Sequence, residues 1–159
     1  LLPLVERENA PHILFTVRTE AVEHHKGQIS FPGGMVDSTD SSLVETVLRE
    51  TEEEIGVDGR DIEILGRLDD QPTPSGFCIS PFVGWIRNGA AARIRSEVEI
   101  REIFTAPVAA LRSPAIYRED PPVHVDVYTF TIPHYQFGSY DIWGATGRIL
   151  RQFFEEALS

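Results

Sequence analysis

One cysteine and one methionine are all the sulfur in the 159 residues. A single thiol excludes an internal disulfide and suits a reducing compartment, and Cys78 reads as a small apolar core residue. No apolar run approaches the roughly 20 residues of a membrane helix, and no secretory leader is legible. The first residue is Leu, so the natural chain is expected to begin upstream. The closing "ALS" is not a peroxisomal "SKL" address, and a bacterial cytoplasm is the expected location. Repeats, low-complexity tracts and linkers are also missing, so one domain is expected across 1–159. Basic residues are scarce: 14 Lys and Arg face 25 Asp and Glu, a net charge of −11. That balance argues against a nucleic-acid backbone as partner. An acidic chain can still hold an anionic substrate when a divalent cation stands between them.

What is present reads as interleaved strands and helices. Strands are expected at 1–5 and 12–18, joined by the polar turn "ERENAP", and at 28–31, where Pro32-Gly33-Gly34 stops the chain. Others are expected at 62–68, 77–86 and 99–106. Another is expected at 123–132, where Val123, Val125 and Val127 alternate with His124, Asp126 and Tyr128. A helix is predicted over 41–55 with Gly56 as its stop; Asp40, Ser41 or Ser42 can cap it, and Ser42 with Glu45 has capping-box spacing. A short helical turn is expected at 107–111. A second long helix is predicted over 141–158, with Ile142, Ile149, Leu150, Phe153 and Phe154 on one side. The fold class is α/β (α+β), a central mixed sheet with helices on both faces.

The first helix concentrates negative charge, with Glu50, Glu52, Glu53 and Glu54 inside five residues. At about 100° per residue, Leu43, Val44, Val47, Leu48, Thr51 and Ile55 fill an arc of about 140° that should face the core. Glu50 and Glu54 straddle one edge of that arc, and Glu53 lies beside Glu50 toward solvent. A solvated charged face is the ordinary explanation of an acidic helix. Here the acids abut the apolar stripe instead of opposing it, with only Arg49 nearby to neutralise them. Such like-charge pairs oppose folding, more so when partly buried. A hard divalent ion would relieve them, because it accepts carboxylate and carbonyl oxygens.

The stretch "RETEEEIGV", residues 49–57, resembles the core of the Nudix box, R-E-U-x-E-E-x-G-U with U a bulky aliphatic. Gly34 is similar to the glycine that opens the box. The glycine-to-arginine spacing is one residue longer than in the generic box, Asp40 stands where the generic pattern has Glu, and Thr51 takes a usually aliphatic position. The upstream "LFTVRTEAVEHHKGQISFPGG", residues 14–34, is similar to the signature of the coenzyme A pyrophosphatase branch, whose boxes commonly share the extra residue and the Asp. The closing "DIWGATGRIL", residues 141–150, looks like that branch as well. Glu23 sits where the branch often has a basic residue; His24, His25 and Lys26 are near enough to supply the charge.

The resemblance implies a Nudix-type α/β/α sandwich whose loop–helix–loop holds Mg²⁺ or Mn²⁺ and splits a nucleoside diphosphate linked to another group. It implies Glu50 and Glu54 as direct metal ligands, with the Gly34 carbonyl as a further one. Glu53 is either a third ligand or the general base, and Arg49 orients the acids through charge-assisted hydrogen bonds. Glu99 or Glu102 can add a carboxylate from a separate segment. Arg18 and Lys26 are candidates for gripping phosphate. Phe77, in "PTPSGF", either stacks on a base or joins the core, and Tyr140 and Trp143 read as packing. The implied substrate is a small molecule, coenzyme A or its thioesters, cut to adenosine 3′,5′-bisphosphate and a 4′-phosphopantetheine product. The alternatives are the same chemistry on ADP-ribose, NADH or a nucleoside triphosphate, and a non-catalytic nucleotide-sensing domain. Neither nucleic acid nor membrane is an expected partner; a homodimer is compatible with the sequence.

Overall fold

The computed structural model describes residues 1–20, 27–87 and 92–157. Its first hairpin pairs β1 (Leu2–Arg7) with β2 (Ala10–Arg18) through a turn in which Glu8 and Asn9 take φ of 51° and 59°. Successive left-handed residues match the twist of the strands they join. Next come β3 (Ile29–Ser30), α1 (Leu43–Ile55), β4 (Ile62–Arg67), the small hairpin of β5 (Gln71–Pro72) and β6 (Cys78–Ile79), and β7 (Phe82–Ile86). Then β8 (Ile100–Pro107), α2 (Val108–Leu111), β9 (Tyr117–Val125), β10 (Tyr128–Phe137), β11 (Tyr140–Ile142) and α3 (Gly144–Glu156) complete the order. The main sheet runs β3-β2-β1-β7-β4, with β8 also on β2. Its β1–β7 pairing is parallel and the others are antiparallel, a mixed sheet as expected. A second sheet, β11-β10-β9, is antiparallel.

Period-two alternation sorts the main sheet's side chains onto two faces. Leu2, Leu4, Ile13, Phe15 and Val83 meet Ile149, Leu150 and Phe153 of α3 on one side. Val5, Leu14, Ile62 and Ile86 meet Val47 and Ile55 of α1 on the other. Helix α1 starts at Ser42, whose hydroxyl accepts from the Glu45 N–H, and ends at Gly56, which takes φ 67° and donates to the Glu52 carbonyl. The box is not reciprocal: the Glu45 carboxylate reaches Ser41 instead.

Five expectations are corrected, the simplest being Cys78, which reads as a core residue and is exposed on the short β6 strand. The strand expected over 123–132 is two strands folded back through Asp126 and Val127, with Tyr128 opposite Val125 and Asp126 at φ 52°. The valine alternation runs straight into a two-residue turn that carries no Gly, Asn or Pro to mark it. The strand expected over 77–86 is broken at Ser80-Pro81, β6 pairing with β5 and β7 with the main sheet. The final helix begins at Gly144, three residues late, because Ile142 is paired with Tyr135 in the second sheet. Leu43 is exposed, so the buried face of α1 begins only at Thr46 and Val47. Among the described residues no helix is long and apolar enough to cross a membrane.

Leu150 is fully buried where α3 meets the sheet. Truncating it to Ala should cost about 2–5 kcal/mol of unfolding free energy in urea titration. A loss below about 1 kcal/mol would show that α3 is not seated on that face.

Candidate active site

The acids of α1 do not share one environment. Glu54 is 3 % exposed, sealed by the turn after β3, where the Gly33 N–H donates to its Oε2 at 3.2 Å. Burial, first of all, pushes its carboxyl up to about 7; the Gly33 N–H opposes that rise, and the nearby Glu99 adds to it. Arg18, at the end of β2, brings Nη1 to 4.0 Å from Glu54 and Nη2 to 3.8 Å from Glu99. Both ion pairs are long, and the Arg18 Nε is buried without a hydrogen-bond partner among the described residues.

Arg49 is held differently. Asp40 accepts from its Nε at 3.0 Å and its Nη2 at 2.9 Å, a bidentate fork. Its Nη2 also donates to the Met35 carbonyl, and its Nη1 reaches Glu50 at 2.9 Å and Glu53 at 3.3 Å. The Asp40 carboxylate, its side chain 2 % exposed, also accepts from the Thr46 hydroxyl and the Asp37 N–H. The Arg49 guanidinium and these donors hold Asp40 well below the usual carboxylate range, and Arg49 is raised in turn.

Gly34 lies against Glu50 so closely that a Cβ there would overlap the Glu50 carboxylate. Backbone and acid are thus packed together at the mouth of the loop, as a shared oxygen ligand set requires. Carboxylate and carbonyl oxygens are the donors a hard divalent cation selects, and the withdrawn Glu54 beside Glu50 and Glu99 has a surplus of negative charge. The residues fit such an ion in chemistry. Among the described residues no three acidic, histidine or cysteine side chains converge into a ready metal cage, and Arg49 bridges Glu50 and Glu53 instead.

The structure therefore brings Arg18, Gly34, Arg49, Glu50, Glu53, Glu54 and Glu99 to one end of α1. It places Glu102 elsewhere: its carboxylate accepts from the Tyr140 hydroxyl, and Tyr140 stacks on Phe104 on the α3 side of the sheet. Glu99 belongs to the turn before β8, its N–H on the Ser96 carbonyl, whereas Glu102 lies within the strand, so the two carboxylates part company. Phe77 is exposed at the tip of the β5–β6 hairpin. Lys26, with His24 and His25, lies outside the described residues. Thr51 is fully buried and donates to the Val47 carbonyl at 2.6 Å, so its hydroxyl is satisfied within the helix. Two residues were not singled out for these roles: Asp40, read as a cap, and Gly33, whose N–H rather than that of Gly34 holds Glu54. The nine-residue gap between Asp40 and Arg49 hides their pairing, which only the loop's course creates.

A NUDIX domain family model matches residues 2–124. The chain belongs to the Nudix family. It is 36% identical over 156 residues to an uncharacterized Nudix hydrolase, NudL, of Salmonella paratyphi B, covering 96% of this chain and 78% of the relative. Among solved structures, a C. elegans Ap4A hydrolase binary complex aligns with TM-score 0.57 at 12% identity, over 68% of this chain and 77% of that one. The NUDIX domain of Shewanella oneidensis NrtR, complexed with ADP ribose, aligns with TM-score 0.53 at 22% identity, over 67% of this chain and 69% of that one. Both establish the Nudix fold. This Nudix hydrolase acts on nucleoside-diphosphate-linked substrates, and such hydrolases generally use divalent metal ions.

Glu54 makes the stability of the metal-free Nudix hydrolase depend on pH. Its folded carboxyl titrates near 7 against an ordinary value of 4.5, so its contribution is complete below about 4.5 and is lost as pH rises through 7. Unfolding in urea with chelator should show wild type losing on the order of 3 kcal/mol relative to Glu54→Gln between pH 5 and pH 8. Parallel profiles for the two proteins would refute the buried-acid assignment.

Proposed function

We propose that this Nudix hydrolase cuts coenzyme A or its thioesters at the diphosphate, releasing adenosine 3′,5′-bisphosphate and a 4′-phosphopantetheine product. The observation that supports this substrate is where its two branch-like stretches meet. Residues 14–34 and 141–150 are far apart in sequence, yet the Thr146 hydroxyl donates to the Ile29 carbonyl at 3.0 Å. Gly27, Ile29, Tyr140 and Trp143 then line one groove. Two segments that resemble one substrate's signature become one surface.

Glu50, Glu54 and the Gly34 carbonyl would hold Mg²⁺ or Mn²⁺. When bound, such an ion draws charge from the diphosphate oxygens and lowers the pKa of a bound water. The arginines divide the remaining work. Arg49 is locked by Asp40 and the Met35 carbonyl, so it positions Glu50 and Glu53 and cannot follow a ligand. Arg18, held among the described residues by long ion pairs, is the arginine placed to turn toward phosphate. Lys26 is a second phosphate contact. Glu53, the most exposed of these acids, takes the proton of the attacking water or completes the ligand set. We read residues 1–159 as one working domain of a bacterial cytoplasmic enzyme.

Turnover of coenzyme A should require Mg²⁺ or Mn²⁺ and fall by roughly 10²–10⁴-fold in Glu53→Gln. Unchanged metal affinity in that variant identifies the base, and weakened affinity identifies a ligand. Products from coenzyme A, acetyl-coenzyme A, ADP-ribose, NADH and a nucleoside triphosphate should be compared by mass spectrometry. A preference for ADP-ribose would end the coenzyme A assignment while keeping the chemistry, and tight binding without turnover would favour a sensor.

A further inference from the structure

We propose that the groove beside β3 seats the nucleoside end of the substrate, with Trp143 as the base platform and Arg101 as the contact for a phosphate on the ribose. The proposal deepens the coenzyme A reading and rests on it for the identity of that phosphate. The open groove holds about 380 Å³ and is lined by Val17, Gly27, Ile29, Arg101, Tyr140 and Trp143. Trp143 is 43 % exposed there, although it sits between β11 and α3. It is not a loose side chain. Its ring lies 9° from parallel with the His134 imidazole, 5.8 Å between centres. His134 is itself buried, with Nδ1 2.9 Å from Asp141 and Nε2 3.3 Å from Asp120. A backed, half-open indole offers a flat surface whose orientation is already fixed, and stacking on it costs little ordering.

The charges around the indole favour an anion. Asp141 also lines the groove, but His134 and Arg118 occupy its carboxylate, and Tyr140 occupies that of Glu102. Arg101 stands close enough to Tyr140 to oppose the rise of its hydroxyl, and it makes no ion pair among the described residues. In a protein of net charge −11, an arginine left over beside an exposed tryptophan suits a nucleotide phosphate. The groove is also within reach of the chemistry. Gln28, between Gly27 and Ile29, accepts the Arg18 N–H through its carbonyl at 3.0 Å. A ligand in the groove thus lies one strand from the arginine that faces Glu54.

The test compares coenzyme A with dephospho-coenzyme A, which lacks the ribose phosphate. Arg101→Ala should lower the kcat/KM ratio of the first over the second by roughly tenfold or more, mainly through KM. Trp143→Ala should raise KM for both substrates together, and Trp143→Phe, which keeps a ring, should recover part of the loss. An unchanged ratio in Arg101→Ala, or a loss in Trp143→Ala confined to kcat, would overturn the proposal. If neither compound is turned over, the coenzyme A reading has failed, and calorimetry with adenosine 3′,5′-bisphosphate judges the groove alone. Binding that weakens in Trp143→Phe and in Arg101→Ala sustains it; undiminished binding, or none in the wild type, overturns it.

Discussion

A carboxylate withdrawn from water beside two others is tolerated only while opposing charge or hydrogen bonds face it, and Glu54 is such a group. Three separate pieces of chain converge to make its position possible: the Gly33 N–H from the turn after β3, Arg18 from the end of β2, and Glu99 from the turn before β8. None of them neutralises it completely, since Arg18 stays 4.0 Å away and Glu99 carries charge of the same sign. The fold accepts a cost at this point that a leucine would remove. A buried, under-compensated acid at a loop mouth marks a candidate functional site.

Packing explains why the cost does not propagate. Val47, Thr51 and Ile55 anchor α1 on the sheet, and the Thr51 hydroxyl is satisfied inside the helix. The helix is therefore fixed by its apolar face, while Asp40 and Arg49 fix the loop against its polar one. Glu50 and Glu54, one turn apart, answer to different arginines, one rigid and one loosely held. Charge on the same helix can thus be positioned on one side and kept available on the other.

Much of this was legible in the sequence because the determining signals are local. Acids at three- and four-residue spacing beside an apolar stripe, a capping Ser42 and a terminal Gly56 all act within one helix, and the sheet-and-helix order follows from periodicity. Illegible were features created by chain reversal or by distant pairing. The β9–β10 turn at Asp126-Val127 hides in an unbroken valine alternation. The Asp40–Arg49 fork depends on how a loop folds back, and which of two adjacent glycines donates to Glu54 depends on a turn's geometry. Glu99 and Glu102 looked equivalent as charges, yet one sits in the turn that precedes β8 and the other inside the strand.

The sheet's two faces suggest how one thin edge can handle both halves of a long substrate. At the end of β2, Arg18 turns toward Glu54 of α1 and Val17 toward the groove, so neighbouring residues face the two proposed parts of the site. Strand β3 has only two residues and is the outer strand there, which leaves little backbone for a ligand to cross. Its carbonyl at Ile29 is tied to Thr146 of α3, while the loop that follows it carries Gly33 to Glu54. The same short segment therefore couples the helix beside the groove to the acid in the site. Any displacement of β3 would disturb the groove and the buried carboxylate together, so the proposed nucleoside seat and the placement of charge depend on one edge strand.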